Sequence, residues 1–317
     1  MIDYIAATKY RCKDKPFFGH CKLIGIDGPS GVETYILQGC GRMRVKYSKQ
    51  NNILKLCGSL PYFLKGHNFS FLPEEFVEAV GMVDSMLGGI DLWGADLDVF
   101  EFGAIVPVDA KPKDFIANHY SQDNSLKLAI NEQYAGKFAL WRSPRADLKM
   151  YDAGANIQMK QGFARRAVME GEGYDPNKKY IKFEVRYKQP TALNGGRLVQ
   201  VEALQNEEFK ERLKSDYMEK YHTLTPARGL VLPSNKKDFN SLDAVLITLA
   251  ETLQGDMNNP LEAAKQKIFN TINQVECLSK SDKDARKAQI RKAFSKLSES
   301  PESRWDLTKK LECALME

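Results

Sequence analysis

Between Arg42 and Tyr47 every second residue changes character: Met43, Val45 and Tyr47 are apolar or aromatic, while Arg42, Arg44 and Lys46 are cations. Successive side chains of a strand point to opposite faces, so this period of two dictates a strand with an apolar back and a basic front. The same pattern runs through Tyr180–Lys188, with Ile181, Phe183, Val185 and Tyr187 on one side and Lys182, Glu184, Arg186 and Lys188 on the other. In Asp147–Tyr151, Leu148 and Met150 point one way, and Asp147, Lys149 and Tyr151 the other. Strict alternation through Asp96–Phe102 sets Asp96 and Asp98 beside Phe100 and Phe102, opposite Leu97, Val99 and Glu101.

Turn signals fix how such strands connect. IDYIAATKY, ETYILQ, RMRVKYS and NILKLCG are broken by IDGPSG, GCG and KQNN, and short strands joined by tight turns imply an antiparallel sheet. Residues 73–88 place Phe76, Val80, Val83 and Leu87 at helical spacing, with Pro73 and two glutamates in the first turn, so a helix packs on the sheet. Strand-like runs return at ADLDVFEFGAIV, KFALWR, DLKMYDA and YIKFEVRYK, and IQMKQGFARRAVMEGEG between the last two reads as helical. The expected fold is α+β: an antiparallel β-sheet domain with helices packed on one face, followed by a small helical C-terminal region. The expected divisions are a catalytic domain over 1–190, a helix and linker over 191–235, and C-terminal helices over 236–317, with TPARGLVLPSNKK as the linker.

Composition narrows the function classes. A chain with 43% hydrophobic and 27% charged residues is neither disordered nor fibrous, so a folded body carries the function. The net charge of +5 permits nucleic-acid binding, and its distribution favours it. From Lys9 to Lys65 the cations outnumber Asp14, Asp27 and Glu33 by a wide margin. The cysteines form no CxxC pair, which argues against a zinc ribbon or a redox motif. With no signal-peptide pattern and no membrane-spanning apolar run, a cytoplasmic location in a bacterial host is expected, with no membrane partner.

If the strands bearing Asp96, Asp98, Tyr151 and Glu184 are neighbours with polar faces aligned, that face suits metal-assisted phosphoryl transfer. Carboxylates are the hard oxygen ligands that Mg2+ or Mn2+ prefers, a tyrosinate attacks phosphorus, and lysines and arginines hold DNA phosphates.

A resemblance adds to this reading. Lys55-Leu56-Cys57-Gly58-Ser59-Leu60-Pro61-Tyr62-Phe63-Leu64-Lys65-Gly66-His67-Asn68-Phe69 resembles the stretch ending in G-H-N in replication initiators of the filamentous-phage gene II/X family. Met1-Ile2-Asp3, Ala95-Asp96-Leu97-Asp98-Val99-Phe100, Leu148-Lys149-Met150-Tyr151-Asp152 and Tyr180-Ile181-Lys182-Phe183-Glu184-Val185-Arg186 resemble further segments of that family in the same order. The related Rep_trans plasmid initiators and relaxases share the order of acidic strand, tyrosine strand and glutamate strand. The resemblance covers roughly residues 1–190 and implies a rolling-circle replication initiator. Such a protein nicks one strand of origin DNA through a 5′-phosphotyrosine and works with a host helicase and polymerase. It implies Tyr151 as nucleophile, Glu184, Asp98 and Asp96 as Mg2+ or Mn2+ ligands, and Lys149 as a phosphate contact. Lys182, Arg186, Arg145, His67, Arg42 and Arg44 complete the expected DNA contacts. Two departures stand out. Ala153 occupies the place of an expected lysine, and no histidine-hydrophobe-histidine motif exists, so carboxylates would have to bind the metal.

The sequence also carries alternatives. Tyr120, Tyr134, Tyr180 and Tyr187 are rival tyrosines, with Tyr180 the most serious because it shares Glu184's face. Arg165 and Arg166 are further candidate DNA grips, and His67 is read either as a ligand or as a turn-capping or core residue. A different class of function is a non-catalytic single-stranded DNA- or RNA-binding protein that uses the basic sheet face with Tyr47, Tyr62 and Phe63 for stacking. A structural protein with a basic surface is the plainest reading.

Overall fold

The computed structural model describes residues 1–12, 19–121, 125–129, 137–160, 163–226, 242, 245–246, 249, 260–295, 303 and 305–316. The alternating segments form strands where their period requires: β1 (Ile2–Tyr10), β2 (Cys21–Ile26), β3 (Glu33–Gln38), β4 (Arg42–Ser48) and β5 (Ile53–Ser59). Then follow β6 (Asp96–Val108), β8 (Lys127–Leu128), β9 (Phe138–Arg142), β10 (Ala146–Asp152) and β11 (Lys179–Tyr187). They build one ten-stranded sheet in the order β2-β3-β4-β5-β1-β6-β11-β10-β9-β8, with antiparallel pairing throughout. The expected α+β fold with an antiparallel sheet is the fold observed. Because β1 sits between β5 and β6, the first strand of the chain joins the two halves of the sheet.

One face of the sheet is apolar and closed. Ile5, Leu37, Met43, Val45, Tyr47, Leu54, Leu56, Phe100, Leu148, Met150, Phe183 and Val185 are buried on it. Helix α6 (Glu207–His222) lies across its centre: Tyr217 and Tyr221 pack on Phe183, and the Tyr217 hydroxyl donates to the Phe183 carbonyl at 2.9 Å. Helix α1 (Leu60–Lys65) contacts β1, β4 and β5 and pairs with α2 (Pro73–Met86), whose Phe76, Val80 and Val83 are buried as their spacing predicts. Gly66 ends α1 in the left-handed conformation, at φ 78°, which turns the chain toward Asn68. On the opposite face, α4 (Ala153–Lys160) and α5 (Phe163–Gly171) cap one end, where Ala153, Ile157 and Met169 enclose Tyr174 and Tyr180. The short helix α3 is Pro112–Ala117.

Two compact units result: Met1–Ile116, Asp123–Thr223 and Thr308–Glu317 form the first, and Ala117–Gln122 with Leu224–Leu307 the second. Helix α6, from the segment expected as helix and linker, packs on the sheet and belongs to the first unit. Helix α9 (Thr308–Met316), expected among the C-terminal helices, packs on β6 and α6. The second unit has a small pair of strands, β7 (His119–Ser121) and β12 (Leu224–Pro226), and the helices α7 (Pro260–Gln274) and α8 (Lys280–Phe294). Leu246, Ala264, Ala293 and Phe294 are its core, and Ser279 and Asp282 cap α8 reciprocally. Most of the expected linker, Leu253 and Leu297 lie outside the described residues. Among the described residues no helix is long and apolar enough to cross a membrane.

Candidate active site

Register brings the polar residues together. β10 pairs with β11 so that Tyr151 faces Lys182, Lys149 faces Glu184 and Asp147 faces Arg186. β11 pairs with β6 so that Glu184 faces Gly103 and Arg186 faces Glu101, and β1 brings Tyr4 opposite Glu101. Directly opposed residues share a face, so Tyr151, Lys149, Lys182, Glu184, Arg186, Glu101 and Tyr4 all project to the side away from α6. Gly103 is required here. A β-carbon on it would sit 2.7 Å from the Phe183 carbonyl and 3.1 Å from the Glu184 α-carbon.

These side chains form a continuous chain of ion pairs. The Lys149 ammonium donates to Glu101 at 2.5 Å and to Glu184 at 2.8 Å. Lys182 holds the other Glu184 oxygen at 3.0 Å and pairs with Asp3. Asp3 also accepts from Ser59 at 2.7 Å and from Asn68 at 2.6 Å, which ties the Gly66-His67-Asn68 turn to the site. Arg186 donates to Glu101 at 3.1 Å and lies 5.0 Å above the Tyr4 ring. Burial and the neighbouring Glu184 raise the Glu101 carboxyl to about 7. Burial also pushes Glu184 up, but Lys182 and Lys149 outweigh it and hold that carboxyl at about 2. Glu101 therefore gains and loses its proton near neutral pH, whereas Glu184 stays ionised.

Tyr151 is half-buried against Phe138, with the Lys182 ammonium at its hydroxyl. Burial raises the phenol strongly, and Lys182 draws it back toward ionisation. Tyr180 is removed as a rival because it is buried between Phe69 and Tyr174, and its hydroxyl accepts from the Asp175 amide at 2.9 Å. Tyr187 faces the core, stacked on Phe100, as its alternation predicts. Tyr134 and the side chains of Tyr120 and Arg165 lie outside the described residues.

Several expected roles do not survive the geometry. The expected ligand trio of Asp96, Asp98 and Glu184 is not brought together. The β1 register shifts between Ala6, opposite Val99, and Ala7, opposite Leu97, so Asp98 is the extra residue of a bulge. Upstream of it the alternation inverts, and Asp96 comes onto Glu101's face while Leu97 joins the core. Asp98 accepts from Thr8 at 2.6 Å and stands five positions along β6 from Gly103, roughly 16 Å at strand spacing. Asp96 bridges to Gln200, at a cleft of about 610 Å³ lined with Asn194, Gln205 and Arg212. Both Glu184 oxygens are already held by ammonium groups. Among the described residues no three carboxylate, histidine or cysteine side chains are grouped to hold a metal ion.

Lys182 is fully buried and ion-paired, which removes it as a direct phosphate contact. His67 is 1% exposed and 3.8 Å from Glu172, so it does not present its ring to DNA. Lys149 is committed to two carboxylates, and Arg186 keeps a partly exposed guanidinium. Arg145 is exposed in the turn between β9 and β10, away from Tyr151. Arg42 and Arg44 are exposed on the same face of the sheet, as expected. Tyr47 and Phe63, assigned above to base stacking, are buried instead.

Glu101, Asp3 and Asn68 were not assigned roles from sequence. Asp3 and Asn68 lie in segments that carry the resemblance, which was the available signal. Glu101 was read on the face opposite Asp98, and only the bulge shows why the two differ in role. No protein-family model matches the chain, and no curated protein matches it.

Proposed function

We propose that the chain is a DNA nicking and joining enzyme of rolling-circle replication, with Tyr151 as the nucleophile. One observation carries this reading. Asp3, the Asn68 turn, Tyr151 with Lys149, and Lys182 with Glu184 lie far apart in sequence, yet they meet at one place, linked by direct ion pairs and hydrogen bonds. These are four of the five segments that carry the family resemblance.

In the proposed step the Tyr151 oxygen bonds to phosphorus and the bond from phosphorus to the 3′ oxygen breaks, which leaves a 5′-phosphotyrosine and a 3′ oxygen that takes a proton from water to end as a hydroxyl. The phenolic proton passes through Lys182, which gives one proton to Asp3 and takes the one from Tyr151. Lys182 then remains cationic, still paired with Glu184. Arg186, Arg42 and Arg44 supply backbone contacts. No metal ion is needed to write the step.

The test uses supercoiled plasmid carrying the DNA that flanks this coding sequence. Wild type should convert it to open circles with protein bound covalently to a 5′ end. Tyr151→Phe should nick at least about a thousandfold more slowly, as expected for loss of a nucleophile. Nicking by Tyr151→Phe at the wild-type rate would remove Tyr151 from the reaction.

The second reading is a nucleic-acid-binding protein without catalysis. What favours it is the row of exposed cations Lys22, Arg42, Arg44, Lys46 and Lys55 on one face of β2, β4 and β5. It predicts binding that survives Tyr151→Phe and Lys149→Met unchanged, with no covalent product from wild type.

A further inference from the structure

The site has a second phenol. Across β10, β11, β6 and β1 the open face reads Tyr151, Lys182, Glu184, Lys149, Glu101, Arg186, Tyr4, and successive members are joined by register or direct contact. Lys149 is the middle of this series. On either side of it stand a carboxylate, a cation on that carboxylate, and a tyrosine on that cation. Tyr4 thus holds on β1 the place that Tyr151 holds on β10. It differs in being raised less by its surroundings, chiefly by burial and by Cys57 against its hydroxyl, and reaches only about 12.

Among the described residues the other tyrosines lack this setting. Tyr10 is exposed at the end of β1, and Tyr35 donates to Glu33. Tyr187 has Lys220 at 5.9 Å from its ring but is buried on the helical side. Tyr4 is half-buried on the open face, directly opposite Glu101, and β-carbons of such a pair are about 5 Å apart.

We propose that Tyr4 is a second nucleophile, which cuts a second phosphodiester after Tyr151 has cut the first; this rests on the nicking reading above. The Tyr4 oxygen bonds to phosphorus, the bond from phosphorus to its 3′ oxygen breaks, and the phenolic proton passes to the Glu101 carboxylate. The released 3′ oxygen attacks the phosphorus held on Tyr151. The bond from Tyr151 to phosphorus breaks, the strand closes, and Tyr151 recovers its proton from Asp3 through Lys182. No oxidant, reductant or co-reactant enters, and the DNA strand ends on Tyr4 ready for another cycle.

Trypsin separates the two tyrosines, because cleavage after Lys9 and Lys149 puts Tyr4 in residues 1–9 and Tyr151 in 150–160. The full chain is incubated with the supercoiled plasmid described above, digested with nuclease and trypsin, and nucleotide-bearing peptides are identified by mass spectrometry. Wild type should carry nucleotide on both peptides. Tyr4→Phe, which keeps the ring beneath Arg186, should carry it on 150–160 alone and should form closed single-strand circles at least about a hundredfold more slowly, with the first nick retained. Nucleotide confined to 150–160 in wild type, with circle formation unchanged in Tyr4→Phe, overturns the second nucleophile and leaves the first. Nucleotide on 1–9 alone removes Tyr151 and keeps Tyr4. An aryl sulfonyl fluoride, which needs no cognate DNA, provides an independent reading. It should label Tyr4 at least about tenfold more slowly in Arg186→Met than in wild type, because the guanidinium favours the phenolate. Equal labelling of Tyr4 in the two proteins counts against the proposal.

Discussion

Two halves of one sheet face handle charge in opposite ways. Around β10, β11 and β6 the cations Lys149, Lys182 and Arg186 are held by carboxylates, and the pairs are partly or fully buried. On β2, β4 and β5, Lys22, Arg42, Arg44, Lys46 and Lys55 share a face by register, and among the described residues none has an ion pair. Lys46 even stands directly opposite Lys55. The difference separates two uses of the same residue types. Paired charges in a low dielectric fix geometry, whereas unpaired charges in water offer a surface to a polyanion.

The comparison breaks most readily at Lys182. Lys182→Met removes the ammonium between Asp3 and Glu184, and both carboxylates stay buried without it. Orphaning a buried charge costs about 3–5 kcal/mol, so the urea midpoint should fall sharply. Lys46→Met, on the other half, should leave it nearly unchanged. If the two variants unfold alike, the halves do not differ as described.

The next largest effect is on pH dependence. Glu101 is raised from 4.5 to about 7, so the stability linked to its proton is complete below about 4.5 and is lost as pH rises through 7. Glu184 is lowered to about 2, so its contribution is present above about 4.5 and is lost as pH falls toward 2. Urea midpoints of wild type should therefore decline between pH 4.5 and 7 by more than those of Glu101→Gln, which carries no titrating proton. The difference should amount to a few kcal/mol at most, at about 1.4 kcal/mol per pKa unit. A parallel decline in both proteins would show that Glu101 does not hold the proton.

Much of this was legible in the letters. The period of two in Arg42–Tyr47, Asp147–Tyr151 and Tyr180–Lys188 gave the correct faces, because alternation is local and each apolar side had only one place to go. The region around Asp98 was misread for the opposite reason. A bulge is set by pairing with β1, some ninety residues earlier in the chain, and no residue type near Asp98 announces it. The same limit hid Glu101 and Asp3, since which strands become neighbours is a long-range outcome. Burial of Lys182 was also invisible, as alternation assigns a side but does not say what covers it. Tyr47 belongs to the apolar side by its period, and the fold buries it there instead of offering it for stacking.

The smallest effect sharpens the open half. Like charges directly opposed across a sheet repel, so Lys55→Gln should stabilise the free protein by a few tenths of a kcal/mol in dilute buffer. Salt should erase the gain, because both side chains are exposed and screening shortens their reach. Binding should move the other way. If Lys55 meets a phosphate of duplex DNA, the slope of log affinity against log salt should become shallower by about 0.9 on its loss. These two shifts have opposite signs, and that opposition is the diagnostic. A cation kept for folding loses stability when removed, whereas one kept for a polyanion gains stability alone and loses affinity with its partner. Lys55→Gln that destabilises the free protein without altering the salt slope would assign this half of the face to the fold.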